Sequence, residues 1–285
     1  MQSLIAGYGY AGKHLAAILK KKNIEFVVAS RSVEASTHAL SIDLDHEIAP
    51  IDFEHIWYFV PPAKEHESDI RLQHFLSSLP DTGKQRRIVY ISTTGVYGNC
   101  HGAWVKETRP TNPITNRAKR RVDAEQQLRK WSKNEQNEHV ILRVAGIYGP
   151  DRLPIERLKN NLPFLAENEA PWSNRIHITD LARICFAAMY KAEKNEILNV
   201  ADNQPSNMAS YFNQFADIAK LPRPPIVTLA NHDGQISTQM LSYLTESRRI
   251  SNEKVLRTLS LELKYPSLAE GLPAAWAEHE RDDKQ

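Results

Sequence analysis

Short apolar runs, rich in β-branched and aromatic residues, alternate along the chain with longer amphipathic stretches. The apolar runs lie at residues 3–6, 26–30, 56–60, 88–92 and 140–144. Near-continuous apolar strands are typical of a parallel sheet that helices cover on both faces. The amphipathic stretches predict helices at residues 13–22, 65–79, 116–133 and 179–192. The alternation therefore predicts an α/β fold built on a doubly wound parallel sheet.

The pattern changes after Gly149 and Pro150, where it becomes irregular and rich in proline until a strand-like rhythm returns at residues 199–201. We expect residues 1–150 to form the sheet domain, with segments of about 176–202 returning to it. Residues 151–285 should then form a smaller C-terminal region. Because ligands of doubly wound sheets bind beyond the carboxyl ends of the strands, this region should supply the substrate side of a binding site.

A Gly-x-Gly-x-x-Gly turn stands between the first predicted strand and the first predicted helix. In such a turn the first glycine allows a tight bend, the second lets the backbone approach a pyrophosphate, and the third lets helix and strand pack closely. Free N–H groups at the helix start then face the phosphate charge. Glycines also close structural turns in unliganded domains, but this context predicts a Rossmann-like dinucleotide site. Its candidate contacts are Gly7, Gly9, Tyr10, Ala11 and Gly12.

The second predicted strand ends near Ser30, Arg31 and Ser32, where an acidic side chain would otherwise bind the adenosine ribose. A carboxylate would repel a 2′-phosphate, whereas Arg31 with either serine offers it charge-assisted hydrogen bonds. We therefore predict NADP in preference to NAD, with a solvated surface arginine as the alternative. Asp43 could bind the adenine amino group or be an ordinary loop aspartate. The remaining candidate cofactor contacts are Leu44, Val60, Pro61 and Ser92.

Composition bears on the partners and the compartment of the protein. Lys and Arg number 36 against 34 Asp and Glu, so there is no bulk charge to recruit nucleic acid or an anionic membrane. No apolar run approaches the ~20 residues that span a bilayer, and the early first strand leaves no room for a signal peptide. Cys100 and Cys185 have no metal-like spacing and suit a reducing compartment. We expect a cytoplasmic protein with no nucleic acid, membrane or metal ion among its partners.

Residues 91–98, Ile-Ser-Thr-Thr-Gly-Val-Tyr-Gly, resemble a segment of the extended short-chain dehydrogenase/reductases. This is the NAD(P)-dependent epimerase/dehydratase family of sugar-nucleotide enzymes. Further similar segments are Glu107 with Pro110 and Pro113, residues 143–150, and residues 175–180. The resemblance covers most of residues 1–205, and it implies a nicotinamide cofactor.

In that family a Ser or Thr and a Tyr-x-x-x-Lys pair perform the chemistry. The tyrosine exchanges a proton with a hydroxyl or carbonyl oxygen, while the lysine lowers the pKa of the tyrosine and holds the nicotinamide ribose. The resemblance places Thr93 at the Ser/Thr position, where its hydroxyl would bind the same oxygen. The tyrosine and the lysine are both missing from this chain.

Two registers could place the missing pair. Residues 115–119 keep a lysine, but Pro113 and Glu125 match the family and put Arg117 and Arg121 in the tyrosine and lysine positions. The second register is favoured because its arginines project near the apolar face of the predicted helix, whereas the ends of 115–119 project away from it.

The substitution changes the chemistry that the site can perform. An arginine does not give up its proton, so Arg117 cannot act as the acid or base. Arg117 and Arg121 could instead clamp a carboxylate or phosphate. Alternatively, Arg121 pairs with Glu125 one helical turn away, and Arg117 lies along the sheet edge. Other proton donors expected near the pocket are Tyr97, Tyr148 and His177.

These features together predict an atypical extended short-chain dehydrogenase/reductase. It would act as an oxidoreductase or epimerase on a small hydroxy, carbonyl or nucleotide-sugar-like substrate, which would be anionic if the two arginines bind it. The alternative is a non-catalytic NAD(P) sensor or binding module on the same fold. The helix at 116–133 has apolar residues for one buried face only, so we expect a monomer or a weak homodimer.

Overall fold

The computed structural model describes residues 2–228, 230–231 and 246–283. The described strands, in chain order, are β1 Ser3–Ala6, β2 Val27–Ser30, β3 Ala39–Ser41, β4 His55–Tyr58, β5 Arg86–Thr93, β6 Trp104–Val105, β7 Asn137–Val144, β8 Gly146–Tyr148, β9 Phe164–Leu165, β10 Trp172–Ser173, β11 Arg175–His177, β12 Glu196–Val200, β13 Ser206–Asn207, β14 Ile226–Val227 and β15 Arg249–Ile250. The described helices are α1 Tyr10–Lys21, α2 Ile70–Ser77, α3 Asn116–Trp131, α4 Ile155–Lys159, α5 Ile178–Lys191, α6 Met208–Ala219, α7 Glu253–Leu259 and α8 Leu268–Asp282.

Seven parallel strands form the central sheet, in the order β12-β7-β5-β4-β1-β2-β3. The strand order reverses at β1, which pairs with β2 on one side and with β4 on the other. Ligands of doubly wound sheets bind at such a reversal, beyond the carboxyl ends of the strands. The predicted α/β fold with a Rossmann-like, doubly wound parallel sheet is confirmed.

Helices cover both faces of this sheet with separate apolar layers. On one face, Leu15 and Leu19 of α1 pack with Leu181 and Ile184 of α5 against the strands. On the other face, the buried side chains of α2 and α3 are Leu72, Phe75, Ala124 and Leu128. Each helix therefore buries one apolar stripe, as the amphipathic pattern predicts.

A third apolar cluster forms the core of a smaller lobe built mainly from α4, α6, α8 and the short strands near them. Its buried members include Phe164, Phe212, Phe215 and Leu272. The intervening α5 and β12 belong to the central sheet and its cover, because β12 pairs with β7 in parallel from Glu196 to Val200. The smaller lobe's core is therefore built from segments on both sides of α5 and β12 in the chain.

Two helix starts differ from the sequence prediction. The first helix begins at Tyr10 rather than residue 13, directly after the glycine turn. The second begins at Ile70 rather than residue 65, because the Asp69 side chain accepts a hydrogen bond from the Leu72 amide and caps the helix there. Over the described part of the chain, no helix combines the length and apolar character needed to cross a membrane.

Candidate functional site

The glycine turn links β1 to α1 and has the geometry that a phosphate cradle requires. Gly7 has a φ of +98°, and a Cβ there would lie 2.9 Å from the Phe59 carbonyl carbon. A Cβ on Gly12 would lie 2.5 Å from the Gly7 oxygen, so helix and strand could not pack as they do. At Gly9, by contrast, a Cβ would meet no atom within 4 Å. The open side of the turn is therefore at Gly9.

No side chain caps the N-terminus of α1, where Gly9 is the N-cap residue. The first amides of a helix have no partner within the helix itself. Uncapped amides and the positive end of the helix dipole together make a site for a negatively charged group. The residues present thus fit the pyrophosphate of a dinucleotide.

A cleft of about 470 Å³ opens over this turn, at the carboxyl ends of β1, β2, β4 and β5. This volume lies within the range of pockets that hold small molecules and cofactors. Among the residues predicted from sequence, those that line it are Gly7, Gly9, Tyr10, Ala11, Gly12, Ser30, Arg31, Asp43, Leu44, Val60, Pro61 and Arg121. Ser32, Ser92, Thr93 and Arg117 do not belong to its lining.

Charged side chains surround one end of the cleft, beyond β2. The Arg31 side chain is 63% exposed, and its Nη1 lies 3.3 Å from Asp45 Oδ2. Arg71 of α2 binds the same carboxylate with both Nε and Nη2, at 2.5 and 2.8 Å. The hydrogen bonds from Arg71 hold the pKa of Asp45 below its usual value. Two arginines thus share one carboxylate here, which leaves one positive charge for a ligand.

Arg121 also lines the cleft and is held by an aromatic side chain of β5. Its Nη1 donates a 2.8 Å hydrogen bond to the Tyr90 hydroxyl, and its guanidinium lies 5.4 Å from the centre of that ring. Burial raises the pKa of Tyr90, so the phenol stays protonated. Arg117, one helical turn earlier, is exposed on α3. The two arginines therefore occupy different environments, and only Arg121 borders the cleft.

The predicted alternative for Arg121, an ion pair with Glu125, is wrong. Glu125 accepts hydrogen bonds from Arg143 Nε and Nη2 at 3.0 and 2.6 Å and from the Ser92 hydroxyl at 2.7 Å. Its other ion-pair partner is Arg129, at 3.7 Å on the outer side of the helix. The Glu125 carboxylate points toward β5 and β7, because Ser92 and Arg143 on those strands donate buried hydrogen bonds to it. Ser92, a predicted cofactor contact, is buried in this cluster.

A buried carboxyl group lies close to Arg121. Asp69 is fully buried, and its Oδ1 caps α2 while its Oδ2 has no hydrogen-bond partner. Burial raises the pKa of Asp69 to about 6, and the charge of Arg121 opposes that rise. Behind the lining of the cleft, Arg121 therefore binds a buried phenol and lies near a buried acid with a raised pKa.

Thr93 ends β5 and begins a short 3-10 turn. Its Oγ1 accepts a 3.1 Å hydrogen bond from the Gly95 amide, which caps that turn. The hydroxyl hydrogen remains available for donation, since this bond uses only a lone pair. Thr93 is partly buried beside the cleft and lies three residues after Tyr90 on the same strand.

The other candidate proton donors are held in structural hydrogen bonds away from the cleft. The Tyr97 hydroxyl donates to Asn199 Oδ1 at 2.7 Å, and the Tyr148 hydroxyl donates to the Ser267 carbonyl at 3.4 Å. His177 caps α5 by accepting from the Thr179 amide, and burial lowers its pKa to about 4. These three side chains do not line the described cleft.

Two arginines that line the cleft are absent from the sequence prediction. Arg71 comes from a helix whose start was placed too early. Arg152 follows Gly149 and Pro150, and its guanidinium lies 4.6 Å from the centre of the Tyr10 ring. The sequence feature that could have indicated Arg152 is its position two residues after Pro150, directly beyond the family-like segment 143–150. In the described part of the chain, no group of three or more His, Cys, Asp or Glu is placed to hold a metal ion.

Comparisons with known proteins agree with this architecture. The family model for the NAD dependent epimerase/dehydratase family matches residues 3–201. Protein YeeZ of Escherichia coli K12 is 25% identical over 287 aligned positions, covering 92% of this chain and 95% of YeeZ. A conserved protein of unknown function from Silicibacter pomeroyi has a similar structure, with a TM-score of 0.81 and 27% identity over 98% of this chain and 99% of its own. The Thermus thermophilus UDP-glucose 4-epimerase in complex with NAD has a TM-score of 0.77 and 18% identity, over 99% of each chain.

The chain therefore belongs to the NAD dependent epimerase/dehydratase family, as the resemblance of residues 91–98 predicted. Its fold is the NAD(P)-binding, Rossmann-like fold of extended short-chain dehydrogenase/reductases. The register that places Arg117 and Arg121 at the tyrosine and lysine positions of that family stays a prediction.

Proposed function

We propose that the protein binds NADP, and NAD less tightly, and exchanges hydride with a small anionic hydroxy, carbonyl or nucleotide-sugar-like compound in the cytoplasm. It would act as an oxidoreductase or an epimerase. One observation carries this proposal: a single cleft is lined both by the start of α1, which has no side-chain cap among the described residues, and by the arginines at positions 31, 71, 121 and 152. The buried free thiols Cys100 and Cys185 are consistent with a reducing compartment.

The glycine turn would hold the pyrophosphate, and Arg31 with Ser30 or Ser32 would hold the 2′-phosphate. Asp43 and Leu44 would contact the adenine end, and Val60 and Pro61 would contact the groups farther along the cleft. The T. thermophilus relative, whose structure contains NAD, supports a dinucleotide in this cleft. When bound, the nicotinamide would supply the hydride donor or acceptor.

The side chains at the far end would orient the substrate rather than exchange its proton. Thr93 would donate a hydrogen bond to the reacting oxygen. Arg121, fixed by Tyr90, would place positive charge beside the nicotinamide ribose or a substrate anion. Since an arginine keeps its proton, neither Arg117 nor Arg121 would supply the proton that accompanies hydride transfer, and water would supply it.

A second candidate function is dinucleotide binding without turnover. It is favoured by the structural hydrogen bonds that occupy Tyr97, Tyr148 and His177. Both functions require cofactor binding, but only an enzyme transfers hydride. The two proposals therefore separate on a single measurement.

The test combines binding with hydride transfer. Calorimetric titration with NADPH and NADH measures binding, and 4-deuterated NADPH with a panel of keto acids, aldehydes and nucleotide sugars measures deuterium transfer by mass spectrometry. Deuterated product supports the enzyme. Cofactor binding without transfer to any compound, and with no small molecule retained through purification, would favour the sensor.

A matched variant checks that the cleft is the binding site. Gly9→Ala adds a methyl group where the empty protein has open space, so its melting temperature should stay unchanged. The same methyl would stand where the pyrophosphate must approach, so both cofactors should bind at least about tenfold more weakly. Normal cofactor affinity in Gly9→Ala would contradict the proposed site.

A further inference from the structure

Arg175 is a partly buried arginine with few protein partners. Its guanidinium lies 4.4 Å from the centre of the Tyr211 ring, and it donates one long hydrogen bond, 3.5 Å, to the Asn174 carbonyl. Within the described residues, no carboxylate forms an ion pair with it. Burial lowers the pKa of Arg175, so its surroundings do not favour the charge. A guanidinium has five N–H donors, and among the described residues only one of them has a hydrogen-bond acceptor.

Other arginines with little exposure are better satisfied. Arg143 has Glu125, Arg86 has Asp52, and Arg87 has Glu138. Arg157 offers the closest comparison, because it also lies over an aromatic ring of the small lobe, that of Phe212 at 5.2 Å. Arg157 nevertheless donates a 2.6 Å hydrogen bond to the Pro163 carbonyl. A desolvated charge is costly unless it is paired, so the environment of Arg175 suits an anion from outside the protein.

The position of Arg175 is close to the proposed reaction site. It lies opposite Gly146 in the parallel pairing of β11 with β8, and a Cβ on Gly146 would be 2.8 Å from its Nη1. Gly146 is exposed, and the next residue, Ile147, lines the cofactor cleft. Gly146 also follows Val144, which pairs with Thr93 across β7 and β5. Thr93 therefore lies on the strand beside the one that leads to Gly146, the partner of Arg175 in the pairing of β11 with β8.

One acidic group lies near Arg175 without neutralising it. The Asp202 amide donates to the Arg175 carbonyl at 2.8 Å, but the two side chains form no ion pair. Asp202 is 3% exposed, its Oδ1 accepts from the Gln204 amide, and its Oδ2 has no partner. Burial raises the pKa of Asp202 to about 7, so the carboxyl carries only part of a charge at neutral pH. Asp202 therefore compensates the positive charge of Arg175 only in part.

We propose that Arg175 anchors an anionic group of the substrate, a phosphate or a carboxylate. The reacting carbon at the other end of the same small molecule would lie beside Thr93. The substrate class is then a phosphorylated or carboxylated hydroxy or carbonyl compound. This assignment rests on the proposed function for its reaction, but the anion site can be tested without turnover. Tyr211 supplies the aromatic support, and glycine at position 146 leaves room for the guanidinium.

The experiment uses the full-length protein saturated with NADPH, so that the cofactor phosphate sites are occupied. Inorganic phosphate and, separately, malonate are titrated by calorimetry into the wild type, Arg175→Gln and the control Arg157→Gln. Losing charged hydrogen bonds should weaken binding of the preferred anion about 10- to 100-fold in Arg175→Gln. Arg157→Gln should bind it as the wild type does. Stronger binding of phosphate or of malonate identifies the substrate group.

Three results would overturn the proposal: no anion binding by the NADPH-loaded wild type, equal affinities in the wild type and Arg175→Gln, or an equal loss in Arg157→Gln. If Arg175→Gln does not fold, anomalous diffraction from selenate in wild-type crystals decides the matter. Selenate against Arg175 supports the site, and selenate only elsewhere refutes it. The NADPH affinity, measured in the same samples, tests the proposed function separately, because a protein that fails to bind NADPH can still show selenate at Arg175.

Discussion

Replacing Arg31 with alanine should convert a preference for NADPH into near-equal binding of the two cofactors. In the free protein, Arg31 makes an exposed ion pair with Asp45 at 3.3 Å, and such pairs contribute about 0 to 1 kcal/mol. A charged hydrogen bond to a 2′-phosphate contributes about 1.5 to 3 kcal/mol. The phosphate should therefore displace Asp45 from Arg31, with a net gain of about 1 to 2 kcal/mol, or roughly 5- to 30-fold in the dissociation constant.

Calorimetric titration of NADPH and NADH into the wild type and Arg31→Ala measures this difference directly. NADPH should lose roughly 5- to 30-fold in affinity, and NADH should change by less than about twofold. Asp45→Asn provides the opposite test, because it removes the competing carboxylate from both Arg31 and Arg71 and should strengthen NADPH binding. Arg223→Ala is the matched control, since Arg223 makes a similarly exposed pair with Asp217.

Equal losses for NADPH and NADH in Arg31→Ala would show that Arg31 contacts a part common to both cofactors. No loss for either would show that it is a solvated surface side chain. In both cases the assignment of Arg31 to the 2′-phosphate, and with it the preference for NADP, would be refuted.

Further outcomes are expected for stability, pH and assembly. Glu125→Gln and Arg143→Met should each lower the free energy of unfolding by about 3 to 5 kcal/mol in urea titrations, because each leaves a buried partner unpaired. The double mutant should lose much less free energy of unfolding than the sum of the two single losses. Additive losses in this pair, together with non-additive losses between Glu125 and Arg121 variants, would contradict the structure. The folded-state pKa of Asp69, about 6, lies above its unfolded value, so its contribution to stability is lost as pH rises from about 4 to 6. Asp69→Asn keeps a helix cap and should remove that decline in the urea midpoint; an unchanged pH profile would contradict it. Finally, α3 exposes mostly charged residues, so light scattering should find a monomer or weak dimer, and a dimer persisting at nanomolar concentration would refute this.

The part of the site that follows from local backbone requirements is predictable from sequence. Gly7, Gly9 and Gly12 are required by the backbone geometry of one continuous strand, turn and helix. The cleft opens at the turn that their spacing indicates. The sheet is predictable for a similar reason, because apolar periodicity reports burial. Arg121 could be placed on the correct side of its helix by counting residues around the turn.

The partners of these side chains could not be predicted, because they come from distant segments. Arg121 binds Tyr90, which lies 31 residues away on β5, whereas helical spacing alone suggested Glu125. Arg143 of β7 forms an ion pair with Glu125 of α3. Residue spacing along the helix does not reveal this contact, because the partner lies on a strand. Arg152 reaches the cleft only because the chain after β8 turns back over α1.

The contacts of Tyr10 connect the glycine turn to the smaller lobe. Tyr10 is the first residue of α1, and its hydroxyl packs so closely against Gly149 that a Cβ there would lie 2.4 Å from it. The guanidinium of Arg152 lies over the Tyr10 ring. The phosphate-binding turn and the start of the smaller lobe therefore share a contact surface. A ligand that orders the turn should also restrict, through this contact, the start of the smaller lobe. Cofactor binding should thus slow amide hydrogen exchange in the smaller lobe, far beyond the residues that the cofactor touches.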